Sequence, residues 1–191
     1  MESGVAVSLG ARDARASVEP LGSGLHVLSL EGRLTPGWAG NLAAGLAERS
    51  ISIERGEARA SRGGLWSARF DVRPLAGAPT LAALDLVALA RTDAGRGFAT
   101  PLRLHAYELD ASDAHGGSLR LAVSAPDCVG FLAGLLRRLA YFALFPVALR
   151  LETQADRVSD ELWLRGAGQR VPSANARAAL GRALAAHAGL R

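Results

Sequence analysis

Few residues in this chain are of types that do covalent chemistry, and those few are dispersed. The one cysteine, Cys128, lies in the run Ala125-Pro-Asp-Cys-Val-Gly-Phe-Leu-Ala133, at or near the start of a helical pattern. A helix N-terminus lowers a thiol pKa, but a nucleophile also needs a base, and no histidine is close in sequence. His26, His105, His115 and His187 fall in four different elements, without HExxH-like spacing. Lysine is absent: all 22 basic residues are arginine. That removes the usual Walker A loop and any Schiff-base lysine. A lone cysteine makes no CxxC pair, no Cys-based zinc site and no internal disulfide. No GxGxxG follows a strand and no GxSxG elbow occurs. The expectation is a protein that is not an enzyme, has no catalytic or metal-binding residues and no cofactor, and works by recognition. Asp127, Cys128, Val129, Gly130 and Phe131 are its candidate ligand contacts.

Composition narrows the partners. The chain has 191 residues, 49% of them hydrophobic, enough for a packed core. Its net charge of +4 is small and its arginines are scattered. A nucleic-acid stripe is more clustered, so nucleic acid is not an expected partner. No apolar run reaches the ~18 residues that span a bilayer; Phe131 to Leu149 is broken by Arg137, Arg138 and Pro146. Glu2 and the absence of a basic region before an apolar stretch argue against a secretory signal. With a single cysteine, the expected setting is cytoplasmic.

The elements that would position the candidate loop occur twice. Leu28-Ser-Leu30-Glu-Gly-Arg-Leu-Thr-Pro-Gly37-Trp38 aligns without a gap on Leu121-Ala-Val123-Ser-Ala-Pro-Asp-Cys-Val-Gly130-Phe131. Each is an apolar strand, a polar turn, then glycine, an aromatic and a helix. Leu34, Trp38, Leu42 and Leu46 recur as one helix face, and Leu135 and Leu139 match the last two. Ile51 and Ile53 open the next strand, whose parity changes across Gly56, predicting a bulge there. Trp66, Ala68, Phe70 and Val72 alternate with Ser67, Arg69 and Asp71, as in a strand with one buried face. Leu65-Trp66 and Leu162-Trp163 read as equivalent, and all three tryptophans as core. Leu81, Leu84 and Val87 mark a second helix, and Leu102, Leu104 and Ala106 a last strand. Asp110 to Gly117 is the linker. In the second copy, Val147, Leu149 and Leu151, then Leu162 and Leu164, predict strands, and Ser173 caps a final helix.

The fold predicted is α+β: two tandem ferredoxin-like βαββαβ units, the second lacking a C-terminal fourth strand. Residues 1–16 form an N-terminal extension, 17–110 the first unit and 117–191 the second. The first strand of the second unit, Ser118 to Val123, then needs a partner: Leu102 to Leu109 folding back on it, the N-terminal Val5, Val7 and Leu9, or another subunit.

The loop Ala125-Pro-Asp127-Cys-Val-Gly130-Phe-Leu resembles that of the ACT domain family, Asp-Arg-Pro-Gly-Leu-Leu. Asp127, Gly130 and Leu132 match, while Cys128 and Val129 replace Arg and Pro. The hairpin at Asp156-Arg-Val-Ser-Asp-Glu-Leu-Trp-Leu is similar to the second hairpin of C-terminal ACT domains in the uridylyltransferase of bacterial nitrogen control. A pair of such domains resembles the glycine cleavage repressor type. The resemblance covers Ser118 to Leu190 and only the outline of the first copy, where Leu34 stands at the Asp position. It implies a non-catalytic regulatory module that binds an amino acid or similar effector where the first loop meets a neighbouring domain, with a homodimer or a regulated protein as further partners. The helix N-terminus after Asp127 suits a carboxylate, and Gly130 admits close approach. Asp127 either meets an ammonium group or caps the helix. Arg33, Thr35 and Gly37 mark the matching loop as a second candidate site. The competing expectation is a ligand-free interaction or oligomerisation module.

Overall fold

The two repeats fold alike, and the likeness begins at a glycine. In the computed structural model, which describes residues 14–61, 63–93 and 101–189, Gly37 and Gly130 precede helices α1 (Trp38–Ala47) and α3 (Phe131–Tyr141). Their φ angles are 90° and 86°, in the left-handed region that glycine enters without steric cost. The same bond closes each turn: Trp38 N–H donates to Thr35 O at 3.1 Å and Phe131 N–H to Cys128 O at 3.0 Å. Among the described residues no side chain caps either helix. Asp127 is therefore not an N-cap; the helix starts later than its acidic residue, at Phe131.

The chain runs β1 (Arg15–Gly22), β2 (Leu25–Arg33), α1, β3 (Ile51–Ala60), β4 (Leu65–Pro74), α2 (Leu86–Arg91), β5 (Ala106–Asp110), β6 (Leu119–Pro126), α3, β7 (Leu144–Gln154), β8 (Arg157–Gly166) and α4 (Ala174–Ala185). These strands form one eight-stranded sheet in the order β1-β2-β4-β3-β7-β8-β6-β5. Every neighbouring pair is antiparallel. The fold is α+β, two ferredoxin-like units joined edge to edge.

Neither unit takes its edge strand from its C-terminal side. In each, the place beside the first strand is filled by the strand that precedes it: β1 pairs β2, and β5 pairs β6. The expected last strand of the first unit, Leu102 to Ala106, thus does not close that unit. Leu104 makes only an isolated parallel bridge to Ala188, and Ala106–Asp110 folds back on β6. A short hairpin costs little loop-closure entropy, and β1 already occupies the first unit's edge. Asp110 to Gly117 becomes the hairpin connection, pinned where the Asp110 carboxylate accepts from Ser112 N–H at 2.8 Å and meets His115 Nε2 at 2.8 Å. The second unit's first strand is paired on both sides. The alternative donors Val5, Val7 and Leu9 lie outside the described residues.

The seam between units is β3–β7, with register pairs from Arg55↔Glu152 to Arg59↔Ala148 and Glu57↔Arg150 at its centre. A constant offset carries Gly37 onto Gly130, Ile51 onto Leu144 and Glu57 onto Arg150, so a pseudo-twofold axis passes through the Glu57/Arg150 pair. Over the seam α1 packs on α3 through Ala43, Ala44 and Ala133. Small residues let the helices close up: a Cβ at Gly40 would lie 3.4 Å from Leu136 Cβ. One hydrophobic core under the helices spans both units, with Leu28, Leu30, Leu46, Leu121, Leu135, Leu139 and Leu162 fully buried. Each contributes roughly 2 kcal/mol of transfer free energy.

Register corrects three expectations. The bulge in β3 falls between Ile53 and Arg55, not at Gly56. Gly56 is small because the Phe70 ring occupies the space of its side chain; a Cβ there would sit 2.2 Å from Phe70 Cδ1. Trp66 is not the counterpart of Trp163. Gly32 pairs Trp66 and Ala125 pairs Val158, while Leu30 pairs Ala68 and Val123 pairs Asp160. Trp66 thus matches Val158, and Ala68 matches Asp160. Trp38 and Trp66 are core residues, in edge-to-face contact at 5.2 Å. Trp163, with the opposite parity, is half-buried on the sheet's open face.

Candidate functional site

The pseudo-twofold generates two cavities, each between the glycine turn of one unit and the facing helix and strand of the other. The first has a volume of about 170 Å³. Gly37, Trp38, Asn41 and Trp66 wall it from the first unit, and Leu136, Arg137 and Leu144 from the second. Asp93, just past α2, completes its rim. The walls are mostly apolar, but Arg137, Asp93 and Asn41 bring a cation, an anion and an amide. Asn41 Nδ2 also donates to Ala90 O at 3.3 Å, which fixes the amide against α2. The Trp38 indole N–H is buried with no acceptor among the described residues.

The second cavity is smaller, about 40 Å³. The structure brings Asp127, Cys128, Val129, Gly130 and Phe131 together here, facing Ser52 and Ile53 of the first unit. Asp127 N–H donates to Asp156 O at 2.8 Å, tying the loop to the β7–β8 hairpin. The Asp127 residue is exposed, yet its carboxyl pKa is raised, first by partial burial against the pocket and then by the negative charge of Glu54. Cys128 is exposed. Its thiol is pushed up by burial and then by Asp127, against a smaller opposing pull from Arg103. A lowered thiol pKa, the usual effect of a helix N-terminus, is not what this loop produces.

Of the residues in the matching loop, Gly37 lines the first cavity, while Arg33 and Thr35 are exposed and outside its walls. The histidines stand apart. His115 meets Asp110, His187 meets Arg138 at 2.8 Å, and His26 Nδ1 is buried without a partner among the described residues.

Sequence reasoning passed over the walls supplied by the neighbouring unit, Asn41, Asp93 and Arg137, because they become site residues only once α1 meets α3. It also passed over Asp160, which a signal could have found. In β8, Val158, Leu162 and Leu164 point inward, and Asp160 shares their parity. It is 4% exposed and lines the second cavity. Its carboxylate accepts from Glu152 N–H at 3.3 Å. Burial, with a smaller contribution from Asp127, pushes its pKa up to about 7 against the lowering effect of the Glu152 N–H.

No family model matches the chain, and no curated protein matches it. Among solved structures, aspartate kinase from Synechocystis is similar to 86% of the chain, at 19% identity and a TM-score of 0.46. The similar region is 27% of that protein's length, so the chain spans about a quarter of it.

Proposed function

We propose that this chain is a regulatory module of the ACT type that binds a small zwitterion such as an amino acid between its two units. The observation that carries this reading is the first cavity, with Arg137 and Asp93 beside a wall of Trp38, Trp66 and Leu136. A guanidinium grips a carboxylate bidentately, a carboxylate holds an ammonium, and an apolar wall takes the side chain. Mostly apolar concave sites with a few convergent polar groups are the usual form of a small-molecule pocket. Volume favours this cavity over the second. About 40 Å³ holds a few waters, since each needs roughly 10–15 Å³ on this measure, whereas about 170 Å³ accommodates a small metabolite. The ACT-like loop at Asp127 then serves mainly to shape the seam.

Thermal shift against the common amino acids tests this. A ligand at 100 times its Kd adds about 2.7 kcal/mol. The shift should vanish in Arg137→Ala and persist in Asp127→Ala. The reverse pattern would move the site to the second cavity. If no amino acid shifts the parent protein, the better reading is a module that works by protein contact alone.

A further inference from the structure

We propose that the open face of the sheet carries a separate binding site for a nucleoside diphosphate, with its phosphates on Arg59, Arg69 and Arg150 and its base on Trp163. The face opposite the helices is largely polar, and four of its arginines are held in ion pairs. Arg15 pairs with Glu31, Arg55 with Glu152, Arg73 with Glu54, and Arg120 with Glu108 and Glu161. Arg59, Arg69 and Arg150 differ. Among the described residues none of the three makes an ion pair, and all line one basin of about 470 Å³. Glu57 is the single carboxylate in its walls among the described residues. It stands opposite both Arg69 and Arg150 in register, yet forms an ion pair with neither. The basin therefore holds three guanidinium groups against one carboxylate. Planar guanidinium forks match phosphate oxygens.

The hollow has a local cause. Ala148 pairs with Arg59 on one side and Trp163 on the other, so the smallest side chain of the row lies between a guanidinium and an indole. β7 also shifts register between Pro146 and Ala148. Arg59 and Trp163 are two strand spacings apart, roughly 10 Å, a span that a nucleoside diphosphate bridges. An indole half-exposed on a charged face offers a stacking surface for a base. The surroundings favour a short anion over a polymer. The adjoining hollow sets Asp71, Glu57 and Glu152 against Arg55, Arg69 and Arg150, balanced in sign, so a continuing phosphate backbone meets carboxylates there.

The test is ADP titration of the full chain by calorimetry and by tryptophan fluorescence. Trp38 and Trp66 wall the first cavity on the helical side, so a quench that is lost in Trp163→Leu is assigned to Trp163. ADP should bind and quench, and pyrophosphate should bind more weakly without quenching. Arg150→Glu and Arg59→Glu should each weaken ADP binding at least tenfold, and Trp163→Leu should weaken it and remove the quench. Arg182→Glu, on α4 in the helical layer, should leave it unchanged. The basin side chains face solvent, so unliganded melting points should stay with the parent's. The proposal is overturned if ADP fails to bind at millimolar concentration, or if the basin variants match the parent. It is equally overturned if oligo(dA) binds with affinity rising with length while ADP does not.

Discussion

Replacing Asp160 with asparagine should stabilise this protein at alkaline pH and do little at acid pH. Asp160 is 4% exposed and has the negative Asp127 nearby, and these outweigh the one backbone hydrogen bond it accepts from Glu152, so the folded state favours its neutral form. Its pKa rises from an ordinary 3.8 to about 7. Between those values the folded state keeps a proton that the unfolded chain has released. Stability must therefore fall as pH rises from about 4 to about 7 and level off above. At about 1.4 kcal/mol per pH unit, a window of about three units has a ceiling of about 4 kcal/mol. Asparagine keeps the shape and the acceptor but never ionises. The variant should match the parent near pH 4 and exceed it at pH 8 by up to about 4 kcal/mol, roughly 10 °C in Tm for a chain of this size. Urea denaturation of both proteins at pH 4.5, 6 and 8 gives the comparison. Equal pH slopes in parent and variant between pH 5 and 7, or a variant less stable at pH 8, would show that Asp160 does not carry a buried negative charge there.

Gly56→Ala should cost roughly 2–3 kcal/mol by calorimetry, because its Cβ would lie 2.2 Å from the Phe70 ring and 3.1 Å from Arg69 O, and Phe70 is itself wedged near Trp38. Gly37→Ala meets no atom within 4 Å, so only its left-handed φ of 90° opposes the change. About 1 kcal/mol is expected in chemical denaturation, with no change in m-value. Ser173→Ala removes the acceptor for Ala176 N–H at 3.2 Å. It should lower stability by about 1 kcal/mol and speed amide exchange in the first turn of α4.

The repeat was legible because its strongest marks are local. A glycine in the left-handed region, an aromatic just after it and leucines one helical turn apart announce the same strand–turn–helix at Leu28 and at Leu121. Ser173 was readable as a cap for the same reason. Pairing partners were harder to read. Arg15-Ala-Ser-Val-Glu-Pro shows only weak apolar alternation, and nothing in it says that it displaces the strand expected from Leu102 to Ala106. Trp163 was misplaced because matching Leu-Trp dipeptides outweighed pleat parity, and a one-residue slip in a strand sends every side chain to the opposite face. The walls of the first cavity were illegible for a different reason: Arg137 reads as solvated helix surface until α3 is laid against α1.

The seam at β3–β7 has the geometry of an isologous dimer interface, each strand meeting the other across an axis. Covalent connection makes that association intramolecular, so it no longer depends on protein concentration. It also releases a constraint. Two identical chains meeting about a true axis must carry two identical pockets, and any substitution is imposed on both. Joined in one polypeptide, the halves can differ. Trp66 and Ala68 stand on one side where Val158 and Asp160 stand on the other, so one pocket is lined with indole and the other holds an inward carboxylate. A single molecule can in this way keep two unlike cavities at places that symmetry would otherwise have made the same.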